Sequence, residues 1–175
     1  MNSKRILNFT NIILAKKKHP FVIEIDHDYS LIVIKSVLED FRLAYFLNQV
    51  FDIALKKDDF HLDFHNKKGE FAVFSYENIN TSEYWSLIAN KQVVDKEENG
   101  NEYNMFAEIS NTYILIPEEK KADYFLKIEN NTHNITTIIK KINSIHRVIT
   151  SYEINPNDLK SKDLLIFGEQ TIMDI

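Results

Sequence analysis

The sequence predicts a single α+β domain, a mainly antiparallel sheet packed on one long helix, with a β-α-β unit in the C-terminal part. Three observations predict it. Tyr29–Ile34, Phe60–His65, Glu70–Tyr76 and Tyr124–Glu129 have the short apolar or alternating character of strands. Ser36-Val37-Leu38-Glu39 has the form of a capping box ahead of a long helical stretch. Finally, Tyr124–Glu129, Ile135–Ile145 and Arg147–Ile154 follow one another as strand, helix and strand. At 175 residues, 44% hydrophobic and 27% charged, the chain has ample length for one domain with a real core.

The first twenty residues read as an extension. Ile6, Phe9 and Ile13 share one face of a short amphipathic helix, with Lys4-Arg5 before it and Lys16-Lys17-Lys18 after it. Polar Asn8, Thr10 and Asn11 interrupt the run and no small-residue cleavage site follows, so it does not read as a signal peptide. The domain is expected over 21–167, with 168–175 as a tail.

Within the domain, Phe21–Ile25 and Tyr29–Ile34 read as strands around the turn Asp26-His27-Asp28. The helix is expected from Val37 to about Lys57. Its polar residues shift from Glu39, Asp40 and Arg42 to the nearly opposite Asn48, Gln49 and Asp52. Apolar residues therefore surround it, and it is expected to be covered on more than one side. Phe60–His65 and Glu70–Tyr76 flank Asn66-Lys67-Lys68-Gly69 as a hairpin. Strands follow at Trp85–Val94, Glu102–Ile109 and Thr112–Ile116, with a charged loop around Asn99-Gly100. In Ile135–Ile145 the isoleucines 135, 138, 139, 142 and 145 lie on one side. After the turn at Asn155-Pro156, Leu164–Phe167 reads as a last edge strand.

Composition narrows the chemistry. A net charge of −5, with lysines in scattered pairs, argues against a phosphate-driven nucleic-acid binder. There is no cysteine, hence no disulfide, thiolate metal site or cysteine nucleophile. Three glycines leave little for a backbone phosphate cradle, and no nucleotide, nucleophile-elbow or zinc-helix motif is present. His61, Asp63 and His65 share a strand face, but alternate residues lie about 7 Å apart, which puts the two histidines too far apart to clasp one ion. Asp26-His27-Asp28 reads as a turn rather than a catalytic diad. No catalytic, cofactor-binding or metal-binding residue is nominated. No apolar run approaches the ~20 residues of a membrane helix, and a cytoplasmic setting is expected.

Ile116-Pro117-Glu118, three residues, then Ala122-Asp123-Tyr124 resembles the motif of the bacterial IPExxxVDY family, with alanine in place of its valine. Leu38-Glu39-Asp40-Phe41-Arg42-Leu43-Ala44-Tyr45, Asn90-Lys91 and Leu159-Lys160-Ser161-Lys162 add to the resemblance, which covers roughly residues 25 to 167. It carries over no activity, cofactor or catalytic residue. The genes of such proteins often neighbour those for ribonuclease III and pyruvate kinase, so the resemblance also admits a link to RNA.

The motif has a physical reading of its own. Pro117 ends a strand because it cannot donate to a ladder. Glu118 and Asp123 are expected to tie the connection to the Arg42 helix or to backbone amides, and Glu39 to pair with Arg42 at i, i+3. Tyr124 is expected to lay its ring on the core with its hydroxyl at the rim. The group Ile116, Pro117, Glu118, Asp123, Tyr124, Glu39, Asp40, Arg42 and Tyr45 is thus either a folding clamp or one interaction surface. The leading expectation is a non-enzymatic accessory protein that binds another protein or itself. A small-ligand regulatory module, by analogy of the β-α-β unit with ACT or ferredoxin-like folds, and an RNA-associated factor are the alternatives.

Overall fold

In the computed structural model, residues 29–59, 62–64, 67–95 and 110–166 are described, and the fold is stated for these. The N-terminal helix, the strands at 21–25 and 102–109, the Asp26-His27-Asp28 turn, His61, His65 and the tail lie outside them. Ten strands and two helices alternate: β1 (Tyr29–Ser36), α1 (Asp40–Phe51), β2 (Lys56–Lys57), β3 (Leu62–Phe64), β4 (Lys67–Phe71), β5 (Val73–Asn78), β6 (Glu83–Ala89), β7 (Lys91–Asp95), β8 (Ser110–Ile114), β9 (Tyr124–Glu129), α2 (Ile135–Asn143) and β10 (Val148–Ile154). Six strands form one sheet in the order β10-β1-β9-β6-β5-β2, each antiparallel to its neighbours. The pairs β3-β4 and β7-β8 form two small ribbons.

β1 and β9 are largely apolar because both of their faces are covered. Ile32, Ile34, Leu126 and Ile128 pack under the helices with Leu43, Leu47, Ile138 and Ile142. Leu31, Val33 and Phe125 pack on the opposite face with Leu115, Ile116, Leu159 and Leu165. Lys127, buried on β9, places its ammonium 2.6 Å from Glu129 and 4.8 Å from the ring of Tyr29. β9 and β10 are both antiparallel to β1 and therefore run parallel to each other with β1 between them. The expected β-α-β unit is present in this split form, with α2 crossing from one strand to the other. Asn134 caps α2 by accepting from the Thr137 amide, and the isoleucine face points into the core.

Four expectations are corrected. The helix runs over twelve residues, Asp40–Phe51, not Val37–Lys57. Its end is set by Asp52 in the left-handed region (φ 55°), whose amide donates to the Asn48 carbonyl, and by the Asn48 side chain, which exchanges two hydrogen bonds with Leu55. The capping box does not form, because the Ser36 hydroxyl accepts from Leu38 and donates to the Arg147 carbonyl. Ser36 is still the end of β1, and Glu39 occupies the cap position without a side-chain bond. The expected strand at 85–94 is broken at Asn90 into β6 and β7. Leu164 and Leu165 belong to a 3-10 turn, Lys162–Leu165, whose Leu165 fills the face opposite the helices instead of extending an edge.

Leu126 lies at the centre of the six-stranded sheet, fully buried among both helices' side chains. Leu126→Ala is expected to cost about 2–5 kcal/mol, read as a lower midpoint in denaturant, while Glu153→Ala on the exposed edge stays within about 0.5 kcal/mol of wild type.

Candidate functional site

The sequence motif folds around a residue outside it. Asn90 is 0% exposed and sits where β6 ends. Its amide donates to the Asp123 carbonyl and its own carbonyl accepts from Leu115. Its side-chain oxygen accepts from Ile116 at 2.8 Å, and its side-chain nitrogen donates to the carbonyls of Glu119 (2.9 Å) and Ala122 (3.1 Å). Both amide hydrogens, the side-chain oxygen and both main-chain groups are therefore used. The segment 115–123 is wrapped around one buried side chain, with Pro117 opening the 3-10 turn Pro117–Glu119.

Asp123 and Tyr124 carry that wrap to α1. One Asp123 oxygen accepts from the Ser36 amide at 3.0 Å, and the other forms an ion pair with Lys91 at 2.7 Å. Tyr124 donates from a buried hydroxyl to the Leu38 carbonyl at 2.7 Å, so the hydroxyl lies inside rather than at the rim. Burial, followed by the charges of Asp40, Asp123 and Glu39, pushes its pKa up, which keeps it a donor. Glu118 accepts from the amide and hydroxyl of Ser161. Backbone hydrogen bonding at its own position leads the causes that hold its pKa below the ordinary carboxylate value. Both acids thus take backbone amides, and Arg42 pairs with Glu39 at 3.6 Å. The motif reads physically as a clamp that locks β1, β6, β9 and the entry to α1 together.

Of the candidate group, Arg42 and Tyr45 on α1 face outward, beside Val37 and Phe41, which were not nominated. Val37, Phe41 and Tyr45, four residues apart, are 66%, 56% and 57% exposed, while Leu43, Ala44 and Leu47 are buried on the other side. An apolar groove of about 620 Å³ runs beside them, floored by Leu38 and Phe46 and walled by His146 and Arg147 from the α2–β10 turn. Arg42 lies 5.8 Å from the Phe41 ring, at the same groove.

A second constellation was not legible in the sequence. Glu83, at the start of β6, has a side chain 3% exposed. One carboxylate oxygen accepts from the amide (2.9 Å) and hydroxyl (2.7 Å) of Thr132, and the other lies 3.4 Å from both the Thr81 hydroxyl and the His133 Nε2. Burial pushes its pKa up, but the hydrogen bonds from Thr132, the His133 charge and Thr81 outweigh it and leave the carboxyl below its ordinary value. His133 in turn stands edge-on to Trp85, with ring centres 6.3 Å apart. Glu83 and His133 are fifty positions apart in an ordinary polar context, so no spacing signals them.

Lys56-Lys57 on β2, Lys67-Lys68 on β4, Lys120-Lys121 after the 3-10 turn and Lys140-Lys141 on α2 lie on separate elements. Among the described residues, no group of three histidines or acids stands close enough to hold a metal ion, and no helix is long and apolar enough to cross a membrane. Compared with known protein families, curated proteins and solved structures, the chain matches none.

Two tests follow from this geometry. Asn90→Ala strands a buried amide and two carbonyls, and is expected to cost about 3 kcal/mol or more, whereas Tyr124→Phe removes one bond and costs about 1–2 kcal/mol; urea unfolding separates the two. The folded pKa of Glu83 lies below its ordinary 4.5. Its contribution is therefore fully present above that value and is lost as pH falls through the folded pKa. Glu83→Gln is expected to flatten the acid limb of a stability–pH curve; an unchanged limb would show that the carboxylate contributes nothing.

Proposed function

We propose that this chain is an accessory protein that acts by protein–protein contact rather than catalysis, and that its α1 face pairs with a second copy of itself. The observation that carries this is the outward stripe of Val37, just before α1, with Phe41 and Tyr45 on it, three large side chains left in water while Leu43, Ala44 and Leu47 are buried on the other side of the helix. We take a second copy as the occupant, because a twofold pairing covers both copies of the stripe with one contact. In an antiparallel twofold pairing centred on Phe41, the Phe41 and Tyr45 side chains of the two copies cover one another. The helix is only about 18 Å long, so the groove walled by His146 and Arg147 has to contribute towards the roughly 800 Å² per partner that a stable dimer buries.

Light scattering during size exclusion is expected to show a dimer. Phe41→Glu is expected to give a folded monomer whose melting midpoint is lower and, unlike that of the wild type, independent of protein concentration. Tyr45→Glu is expected to weaken the dimer in the same way. A monomer at every concentration, or a dimer indifferent to Phe41→Glu, overturns the assignment; a different protein captured on the same face would then be its occupant.

A second reading, a small-ligand regulatory module akin to ACT-type arrangements, is favoured by a separate observation: the cavity next to Glu83 and His133, at the start of the split β-α-β crossover. A panel of metabolites that leaves the melting midpoint unmoved would remove it, since a ligand of the native state raises stability.

A further inference from the structure

The cavity between the end of α1, the β5–β6 hairpin and the start of α2 holds about 360 Å³, at the small end of the range of ligand sites. Trp85, 2% exposed, forms its floor, with the Phe51 ring centre at 5.2 Å and that of His133 at 6.3 Å. Tyr76 and Ile138 complete the apolar lining. Its charged wall groups are Lys141, His133, Asp52 and Glu83.

These four are not equivalent. Both oxygens of Glu83 are engaged with Thr132, Thr81 and His133, so its role is to hold the imidazole in place. Lys141 keeps its ammonium 5.4 Å from the Phe51 ring, at the cavity wall. Asp52 is exposed and set at the cavity by its left-handed backbone. What faces a ligand is therefore a pair of basic side chains, one acid and an aromatic floor. A ligand bearing only a carboxylate would meet Asp52 unpaired, and one bearing only an ammonium would meet Lys141.

We propose that this cavity binds a small zwitterion with a large apolar side chain, the chemical class of free apolar α-amino acids. The carboxylate lies with Lys141 and His133, the ammonium with Asp52, and the side chain on Trp85 and Phe51. Asn78 and Thr137 add neutral hydrogen-bonding groups to the wall. This rests on the small-ligand reading and names its site and ligand class.

Trp85 is the one tryptophan of the chain, so its emission reports on the cavity floor directly. The full chain would be titrated with L-phenylalanine and L-leucine, and with 3-phenylpropionate and phenethylamine, each of which lacks one charge. A saturable change in emission is expected for the amino acids, with the single-charge analogues about tenfold weaker. Lys141→Ala is expected to weaken L-phenylalanine about tenfold and to strengthen phenethylamine, which no longer meets a like charge. Asp52→Asn should weaken L-phenylalanine and strengthen 3-phenylpropionate, and asparagine tolerates the left-handed backbone there.

No emission change with either amino acid overturns the proposal, as does binding of either analogue as tight as that of L-phenylalanine. Thermal stabilisation that leaves Trp85 silent, or that survives both substitutions, overturns this site while the small-ligand reading stands. That reading falls only if a wide metabolite panel stabilises nothing.

Discussion

The fold depends on the saturation of Asn90. An amide side chain buried in a protein interior is stable only when every donor and acceptor is matched, because an unmatched group costs its full desolvation. Here the matching partners are main-chain groups of Ile116, Glu119 and Ala122. The side chain thereby dictates the path of a segment that has no regular ladder of its own. Once that path is fixed, Asp123 reaches the Ser36 amide and Tyr124 reaches the Leu38 carbonyl, and the start of α1 has a set position above the sheet. The order of dependence runs from one buried amide, through an irregular loop, to the placement of a helix.

That placement explains why α1 carries an exposed apolar stripe. The helix is anchored at its beginning by the clamp and stopped at its end by Asp52 and the Asn48–Leu55 exchange. Its rotation about its own axis is set by Leu43, Ala44 and Leu47 in the core. Phe41 and Tyr45 are left on the far side by 3.6-residue periodicity, with no freedom to turn inward. The opposite end of the helix contributes Phe51 and Asp52 to the Trp85 cavity. One short helix thus serves two surfaces at its two ends, and the clamp that holds it serves both.

Much of the sheet was legible because burial on both faces leaves a plain mark. Tyr124–Glu129 has the limits expected of it, and the isoleucine spacing of α2 places its core face. What was not legible depends on single residues acting against their local pattern. Asp52 adopts a backbone that its identity permits but does not announce. Asn90 interrupts an apolar run that otherwise continues as one strand, and only the distant segment it binds gives it a reason to do so. Of the motif residues, Ile116, Asp123 and Tyr124 converge near Asn90 and the entry to α1, while Glu118 turns away to Ser161. The Glu83–His133 pair had no local signature because its geometry exists only once the β5–β6 turn meets the start of α2.

The split arrangement around β1 has a consequence for the newborn chain. β1 is the earliest described strand, yet both of its neighbours, β9 and β10, come from the last third of the chain. During synthesis at about 5–20 residues per second, the apolar run Leu31–Ile34 leaves the ribosome on the order of ten seconds before its pairing strands do. Through that interval the first half of the chain cannot complete its own sheet, whatever helix or hairpin it forms locally. Such non-local closure slows folding and leaves two strand edges bare, a period in which a holding chaperone would find its substrate in this protein's own first strand.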